Sequence, residues 1–178
     1  MVRGVTFGRA LALAGLVTLA PVTGAAQASE GPDALTETYR DWMVVCRSIE
    51  EEGRPAARLC EMVQELRQAE GGQRVLRMAL RPGEDGQAGF LTMITPFGLK
   101  VTEPVAIAID EVAITELPFH TCLAVGCVVQ GAISGETVTA MQRGESAVIA
   151  LPTTGGGYLQ TTVSLMGFTA AWNRLQGL

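Results

Sequence analysis

The stretch LCEMVQEL, residues 59–66, decides the fold class of this chain. Its residues Cys60 and Met62 fall on one side of an extended backbone, while Glu61 and Glu65 fall on the other. Successive side chains of a β-strand point to opposite faces of the sheet, so a strand with one buried and one solvated face shows this period of two. The pattern therefore predicts an antiparallel strand that packs one face against a core.

The same alternation recurs on both sides of this stretch. Upstream lies DWMVVC (41–46), and downstream come RVLRMALR (74–81), GFLTMIT (89–95), PVAIAID (104–110), VAIT (112–115), CVVQGAI (127–133), SAVIAL (146–151) and YLQTTVSL (158–165). Glycine- and proline-rich stretches such as RPGEDGQAG (81–89) separate them and indicate turns. Many short strands at this spacing predict an all-β domain, an antiparallel β-sandwich or a barrel-like domain.

Two helices interrupt the strand pattern. A short inserted helix is predicted between Ser134, a good N-cap, and Gly144, a good C-terminal stop. GFTAAWNRLQ (167–176) is predicted to be a C-terminal amphipathic helix, since its apolar residues recur at the spacing of one helical face. Residues 29–38 are small and polar, and we expect them to be a loose segment.

The N-terminus has the features of a secretory signal peptide. Arg3 and Arg9 precede an apolar run from residue 10 to residue 20, and small residues follow, with an A-x-A pattern that predicts cleavage between Ala28 and Ser29. The expected organisation is a signal peptide over residues 1–28 and a single β domain over residues 29–178. We expect a periplasmic or secreted protein, with no transmembrane segment in the mature chain because no second long apolar run follows.

Charge narrows the range of partners. The chain carries a formal net charge of −5, and loss of Arg3 and Arg9 with the signal peptide would make it −7. Lys100 is its one lysine, and the sequence contains no basic run. This composition argues against nucleic acid and against electrostatic docking on anionic lipid.

The four cysteines Cys46, Cys60, Cys122 and Cys127 indicate a disulfide framework, because an exported chain with an even cysteine count meets an oxidising compartment. Four cysteines allow three pairings, which the sequence alone leaves open. Locality favours Cys46 with Cys60 and Cys122 with Cys127. Zinc ligands or a thioredoxin-type centre would want C-x-x-C spacing, and PFHTCLAVGC (118–127) does not supply it, so neither a metal nor another cofactor is expected.

No catalytic residues are predicted. His120 is the one histidine of the chain, and no G-x-S-x-G pattern or other nucleophile accompanies it. We expect His120 to be dispensable. Leu123, Ala124 and Val125, which lie between the last two cysteines, could pack beneath a neighbouring strand or form a contact patch, and we expect packing.

Taken in order, DWMVVC (41–46), LCEMVQ (59–64), PFHTCLAVGC (118–127) and SLMGFTAAWNRL (164–175) resemble the invasion-associated locus B family. The resemblance covers the chain from about residue 39 to residue 175. It implies an exported protein of alphaproteobacteria and a four-cysteine pattern at Cys46, Cys60, Cys122 and Cys127. Founding members are linked to invasion of red blood cells, so an invasion role is implied only if the source is a pathogen. The family supplies no established catalytic residues.

Three functions compete at this point. The first is a non-enzymatic periplasmic or envelope-associated protein that binds another protein or an envelope component. The second is a periplasmic hydrolase whose acidic residues converge only in the fold. The third is a thiol-redox envelope protein that uses Cys122 and Cys127. The oligomeric state and the identity of the partner are open.

Overall fold

The computed structural model describes residues 34–49 and 57–178, together with residues 1 and 4. The predicted signal peptide, apart from residues 1 and 4, and the cleavage position at Ala28–Ser29 lie outside these residues and stay predictions. The strands are β1 (Ala34–Tyr39), β2 (Trp42–Ile49), β3 (Ala57–Arg67), β4 (Arg74–Pro82), β5 (Gly89–Thr95), β6 (Val105–Ile109), β7 (Val112–Leu117), β8 (Phe119–Leu123), β9 (Gly126–Ile133), β10 (Ser146–Pro152) and β11 (Tyr158–Ser164). The helices are α1 (Gly135–Arg143) and α2 (Phe168–Gln176).

The strands form two antiparallel sheets. The larger sheet has seven strands in the order β1-β2-β3-β4-β5-β9-β8, and the smaller has four in the order β11-β10-β6-β7. The chain builds most of the large sheet as a meander, crosses to the small sheet for β6 and β7, returns for β8 and β9, and crosses again for β10 and β11. This architecture confirms the all-β prediction with a short inserted helix and a C-terminal helix.

One hydrophobic core joins both sheets and both helices. Its largest fully buried side chains are Trp42, Trp172, Phe168, Met62, Leu76, Met78, Leu80, Leu91, Met93, Ile107, Met141 and Ile149. The ring of Phe168 meets that of Trp42 edge-on at 5.3 Å and stacks on Trp172 at 6.1 Å. The C-terminal helix therefore packs its aromatic stripe on the large sheet, as its spacing predicts.

The hydrogen bonds of Gln64 explain why LCEMVQEL (59–66) carries an amide on its inward face. The Gln64 side chain is buried, its Nε2 donates to the carbonyl oxygen of Ser164 at 3.0 Å, and its Oε1 accepts from the Ser164 backbone N–H at 3.1 Å. The Trp42 indole N–H also donates to that carbonyl, at 2.9 Å. Buried polar groups need such partners, and here they connect β2 and β3 of one sheet to β11 of the other.

Both predicted ends of α1 are confirmed. The Ser134 hydroxyl accepts a hydrogen bond from the backbone N–H of Thr137 at 3.2 Å, as an N-cap does. Gly144 ends the helix, and its backbone N–H donates to the carbonyl of Ala140 at 2.8 Å. Val138 and Met141 are buried on one side of the helix.

The expected loose segment over residues 29–38 is wrong for its described part. Residues Ala34–Tyr39 form β1, which pairs with β2 along its whole length. The carboxylate of Glu37 also accepts hydrogen bonds from Arg174 of α2, at 2.7 Å and 3.1 Å. This polar edge strand is stabilised by its backbone hydrogen bonds to β2 and by the ion pair between Glu37 and Arg174, which is far away in sequence. Local composition predicts neither interaction.

The described strands and helices all fall within one compact unit, Gly31–Leu178. In this described part of the chain, neither helix has the length and apolar character needed to cross a membrane. The boundary of the domain at residue 29 stays a prediction.

Candidate functional site

The structure joins the four cysteines in the local pairing that their spacing favours. Cys46 is bonded to Cys60, and Cys122 is bonded to Cys127. In each case the two residues lie directly opposite each other on neighbouring antiparallel strands, with Cα–Cα distances of 4.0 Å and 3.9 Å. Each bridge therefore connects two adjacent strands of the large sheet.

The surroundings of the two bridges differ. Cys46 is fully buried on the inward face of β2, and Cys60 is partly buried against the same core. Cys122, by contrast, is exposed on β8, although Cys127 beside it is buried. The first bridge belongs to the core, whereas the second lies next to the tip of the β8–β9 hairpin.

The backbone of this hairpin tip is tightly held. Only Ala124 and Val125 lie between the two strands. Gly126 follows with a φ of 135°, and a Cβ atom there would lie 2.3 Å from the carbonyl oxygen of Thr95, so no other residue fits without displacement. Arg74 Nη2 donates a hydrogen bond to the carbonyl oxygen of Val125 at 2.5 Å. The hydroxyl of Thr95 donates one to the carbonyl oxygen of Cys127 at 3.0 Å.

The expected packing of Leu123, Ala124 and Val125 beneath a strand is wrong. Leu123 is 54% exposed and Val125 is 57% exposed, and Ala124 is exposed as well. The reason is the shortness of the loop. Leu123 pairs with Gly126 on the last rung of the ladder, and the two loop residues project beyond the end of β5, where no described strand covers them.

A third apolar side chain lies at the same end of the large sheet. Phe97, two residues after β5, is 62% exposed. Phe97 and Val125 line one cavity of about 250 Å³ with Pro96 and Arg74. We call Phe97, Leu123 and Val125 the apolar end. A disulfide and two hydrogen bonds fix its hairpin, which makes it a candidate contact surface.

The His120 side chain makes no hydrogen bond or ion pair with another described residue. It is exposed on β8 and occupies an irregularity of the ladder, where Phe119 pairs with Val129 but Thr121 pairs with the adjacent Val128. Across residues 34–49 and 57–178, no three histidine, cysteine or carboxylate side chains are grouped as a metal site would require. Its dispensability stays a prediction.

A wide, open groove on the described surface has a lining of mixed polar and apolar residues and holds no predicted site residue. It lies between α1, α2 and the β4–β5 loop, with a volume of about 1110 Å³, and is lined in part by Gln87, Glu136, Arg143 and Gln176.

The contact between Glu37 and Arg174 shifts the pKa values of both groups. The hydrogen bond from Arg174 lowers the pKa of the Glu37 carboxyl below its usual range, and the same contact raises the pKa of Arg174. This ion pair connects α2 to β1 and lies apart from the apolar end in sequence and in the fold.

Sequence reasoning favoured burial of the hairpin tip over its exposure, although part of the signal for exposure was present. Only four residues separate Cys122 from Cys127, and the last of them is Gly126, which favours a turn. The tip of so short a turn lacks neighbours on one side. For Phe97 the turn-like TPFGLK (95–100) indicates an exposed apolar side chain, and Phe97 is exposed in the structure.

Comparisons with known proteins agree on one family. A family model described as Invasion associated locus B (IalB) protein matches residues 42–176. An Invasion protein B homolog of Brucella abortus (strain 2308) is 37% identical over 158 residues, which cover 86% of each chain. Invasion protein B of Bartonella bacilliformis is 29% identical over 155 residues, covering 83% of this chain and 78% of that one. The crystal structure of invasion associated protein B from Bartonella henselae superposes with a TM-score of 0.69 at 29% identity, covering 80% of this chain and 95% of that one.

Proposed function

The chain belongs to the invasion associated locus B family, and we propose that it is an exported, non-enzymatic protein of the bacterial envelope that binds a protein partner through its apolar end. The observation that carries this proposal is the exposure of Phe97, Leu123 and Val125 at one end of the sheet. The Cys122–Cys127 disulfide and Arg74 hold the hairpin backbone, and Thr154 donates two hydrogen bonds to the carbonyl of Gly98 beside Phe97. A preorganised surface loses little conformational entropy on binding, so its apolar area contributes more fully to affinity.

The composition of the apolar end favours a protein as the partner. Stable protein interfaces combine an apolar centre with a polar rim, and both aromatic residues and arginine are enriched in them. Phe97 and Val125 supply the apolar centre, and Arg74 lies at its rim in the shared cavity. A partner surface with an apolar recess and an acidic border would complement this end.

Export is the second part of the proposal. The N-terminal sequence has the pattern of a signal peptide, and two disulfides are typical of proteins that fold in an oxidising compartment. We place the mature protein in the periplasm or outside the cell after cleavage near Ala28–Ser29. N-terminal sequencing of the protein from the periplasmic fraction should give Ser29, and an intact Met1 in the membrane fraction would contradict export.

The names of the relatives concern invasion and no chemical reaction, which favours binding over catalysis as the activity of this chain. If its source is a pathogen, we propose that the bound partner serves the invasion of host cells. In other bacteria the same surface would serve an envelope partner.

Binding is tested by affinity capture from native envelope extract with the mature protein as bait. We expect saturable capture of a discrete protein that free wild-type protein displaces, and loss of capture by the double variant Phe97→Ser/Val125→Ser. The matched control is Val112→Ser/Met166→Ser, which removes side chains of similar exposure elsewhere, at 61% and 54%. Equal capture by the two double variants, both folded, would contradict the proposal.

A further inference from the structure

The outward face of the large sheet concentrates positive charge in an acidic protein. The chain has a net charge of −5, yet Arg47 of β2 and Arg77 and Arg81 of β4 all alternate with buried residues and therefore point away from the core. Two carboxylates of β3 lie on this face: Glu61 contacts Arg47 and Arg77, whereas Glu65 contacts Arg67 and Arg74. No basic run marks this cluster in the sequence, because strand pairing places Arg47 of β2 and Arg77 of β4 on the same face, on either side of β3, although 30 positions separate them.

These side chains surround a depression. Ala79 pairs with Thr92 across β4 and β5, and these small residues lie between two longer cross-strand pairs, Arg77 with Ile94 and Arg81 with Phe90. Two adjoining cavities of about 320 Å³ and 250 Å³ share Arg47, Glu61, Ala79 and Thr92 as lining residues. We call this continuous depression, lined by Arg47, Arg77 and Arg81 above the floor of Ala79 and Thr92, the arginine trough.

The arginines of the trough keep donors free for a ligand. Arg77 Nη2 lies 2.8 Å from Glu61 Oε1, and Arg47 Nη1 lies 3.4 Å from the same oxygen atom. The Cζ atom of Arg81 lies over the ring of Phe90, 4.9 Å from its centroid. Among the described residues, Arg81 makes no hydrogen bond or ion pair through its N–H groups. Each guanidinium has five N–H donors in a planar fork, so among the described residues the one carboxylate shared by Arg47 and Arg77 leaves most of these donors unused.

We propose that the arginine trough is a binding site for an oxyanion, a phosphate or a carboxylate, carried by a ligand about the size of a monosaccharide. Three guanidinium groups against one carboxylate give the trough a positive charge, and the arginine fork matches the geometry of both anions. Phe90 and Ile94 supply an apolar wall for the uncharged part of the ligand. This site is separate from the apolar end and does not depend on it.

Glu61 gives the proposal its sharpest consequence. In the free protein its carboxylate occupies the guanidinium groups of Arg47 and Arg77, so it competes with an incoming anion. Removing that charge should increase affinity by roughly two- to fivefold, the factor that partly exposed ion pairs are worth. A merely structural role of Glu61 predicts no gain.

The test is an NMR titration of the full mature protein with glucose 6-phosphate and with glucuronate, and glucose serves as the neutral control. We expect saturable shifts of the Arg47, Arg77 and Arg81 side-chain N–H signals with at least one anion and none with glucose. Response to the phosphate, to the carboxylate or to both identifies the anion preferred. Absence of saturation with both would overturn the proposal.

Variants complete the test. Glu61→Gln should bind more tightly, and Arg81→Gln, which breaks no ion pair of the described residues, should bind more weakly. Arg143→Gln removes the same charge from α1 and should leave affinity unchanged. Unchanged affinity in both trough variants would refute the site. Phe97→Ser/Val125→Ser should bind the anion normally, so failure of the trough and failure of the apolar end are distinguishable.

Discussion

The two disulfides should differ in their contribution to stability, and the structure gives the order. The perturbation is removal of one bridge at a time, as Cys46→Ala/Cys60→Ala or as Cys122→Ala/Cys127→Ala. The first bridge closes a separation of 14 residues and the second a separation of 5. On the chain-entropy relation, the closures stabilise the folded protein by about 3 kcal/mol and about 2 kcal/mol.

Burial widens this difference. Cys46 is fully buried and Cys60 partly buried, so their truncation also removes core contacts, whereas Cys122 is exposed. A domain of this size loses about 2–4 °C in Tm for each kcal/mol. From loop closure alone, we expect Tm to fall by about 6–12 °C for the first double variant and about 4–8 °C for the second. The loss of core contacts at Cys46 and Cys60 should lower the Tm of the first variant further.

Thermal unfolding followed by circular dichroism without reductant measures both values. Along the order of the large sheet, the two bridges are four strand spacings apart, about 19 Å. Their losses should therefore add in the quadruple variant. An equal or larger loss in the Cys122/Cys127 variant would refute the reasoning, since both loop length and burial predict the opposite order.

Two further predictions concern the ion pair of α2 and the glycine of the hairpin. Folding lowers the pKa of Glu37 from 4.5. The ionised carboxylate therefore stabilises the folded protein above pH 4.5, and this contribution is lost as the pH falls through the folded-state pKa. When Tm is measured at decreasing pH, it should fall less steeply in Glu37→Gln than in the wild type. In urea unfolding, Gly126→Ala should lower the free energy of unfolding by about 1–3 kcal/mol, and by more than Gly98→Ala does. Both glycines have positive φ, but of the two only Gly126 would bring a Cβ atom against a backbone oxygen. Equal losses of stability in the two variants would contradict this clash.

Alternation of side chains was enough to predict the strands that line the core. In LCEMVQEL, Met62 is fully buried and Glu61 faces outward, as period two requires. The aromatic stripe of α2 was equally predictable, because Phe168 and Trp172 recur at helical spacing and are buried. In both cases the signal is local, since burial of one face fixes the residue types along one element.

Features that depend on neighbours across the sheet could not be predicted in the same way. The strand β1 is polar and owes its place to pairing with β2 and to the contact of Glu37 with Arg174. The exposure of Val125 follows from the end of β5 beside it, and the arginine trough follows from register. Each rests on contacts between residues far apart in sequence, which composition and periodicity do not encode.

The most direct test of the binding surface is site-specific photo-crosslinking in intact cells. A photoreactive amino acid replaces Val125 in one variant and Val112 in another, two side chains of similar exposure, 57% and 61%. Our account predicts one discrete crosslinked protein product from position 125 and none from position 112. Crosslinks from position 112 alone, or from neither position in cells that export the folded protein, would contradict the claim that the apolar end binds a protein partner.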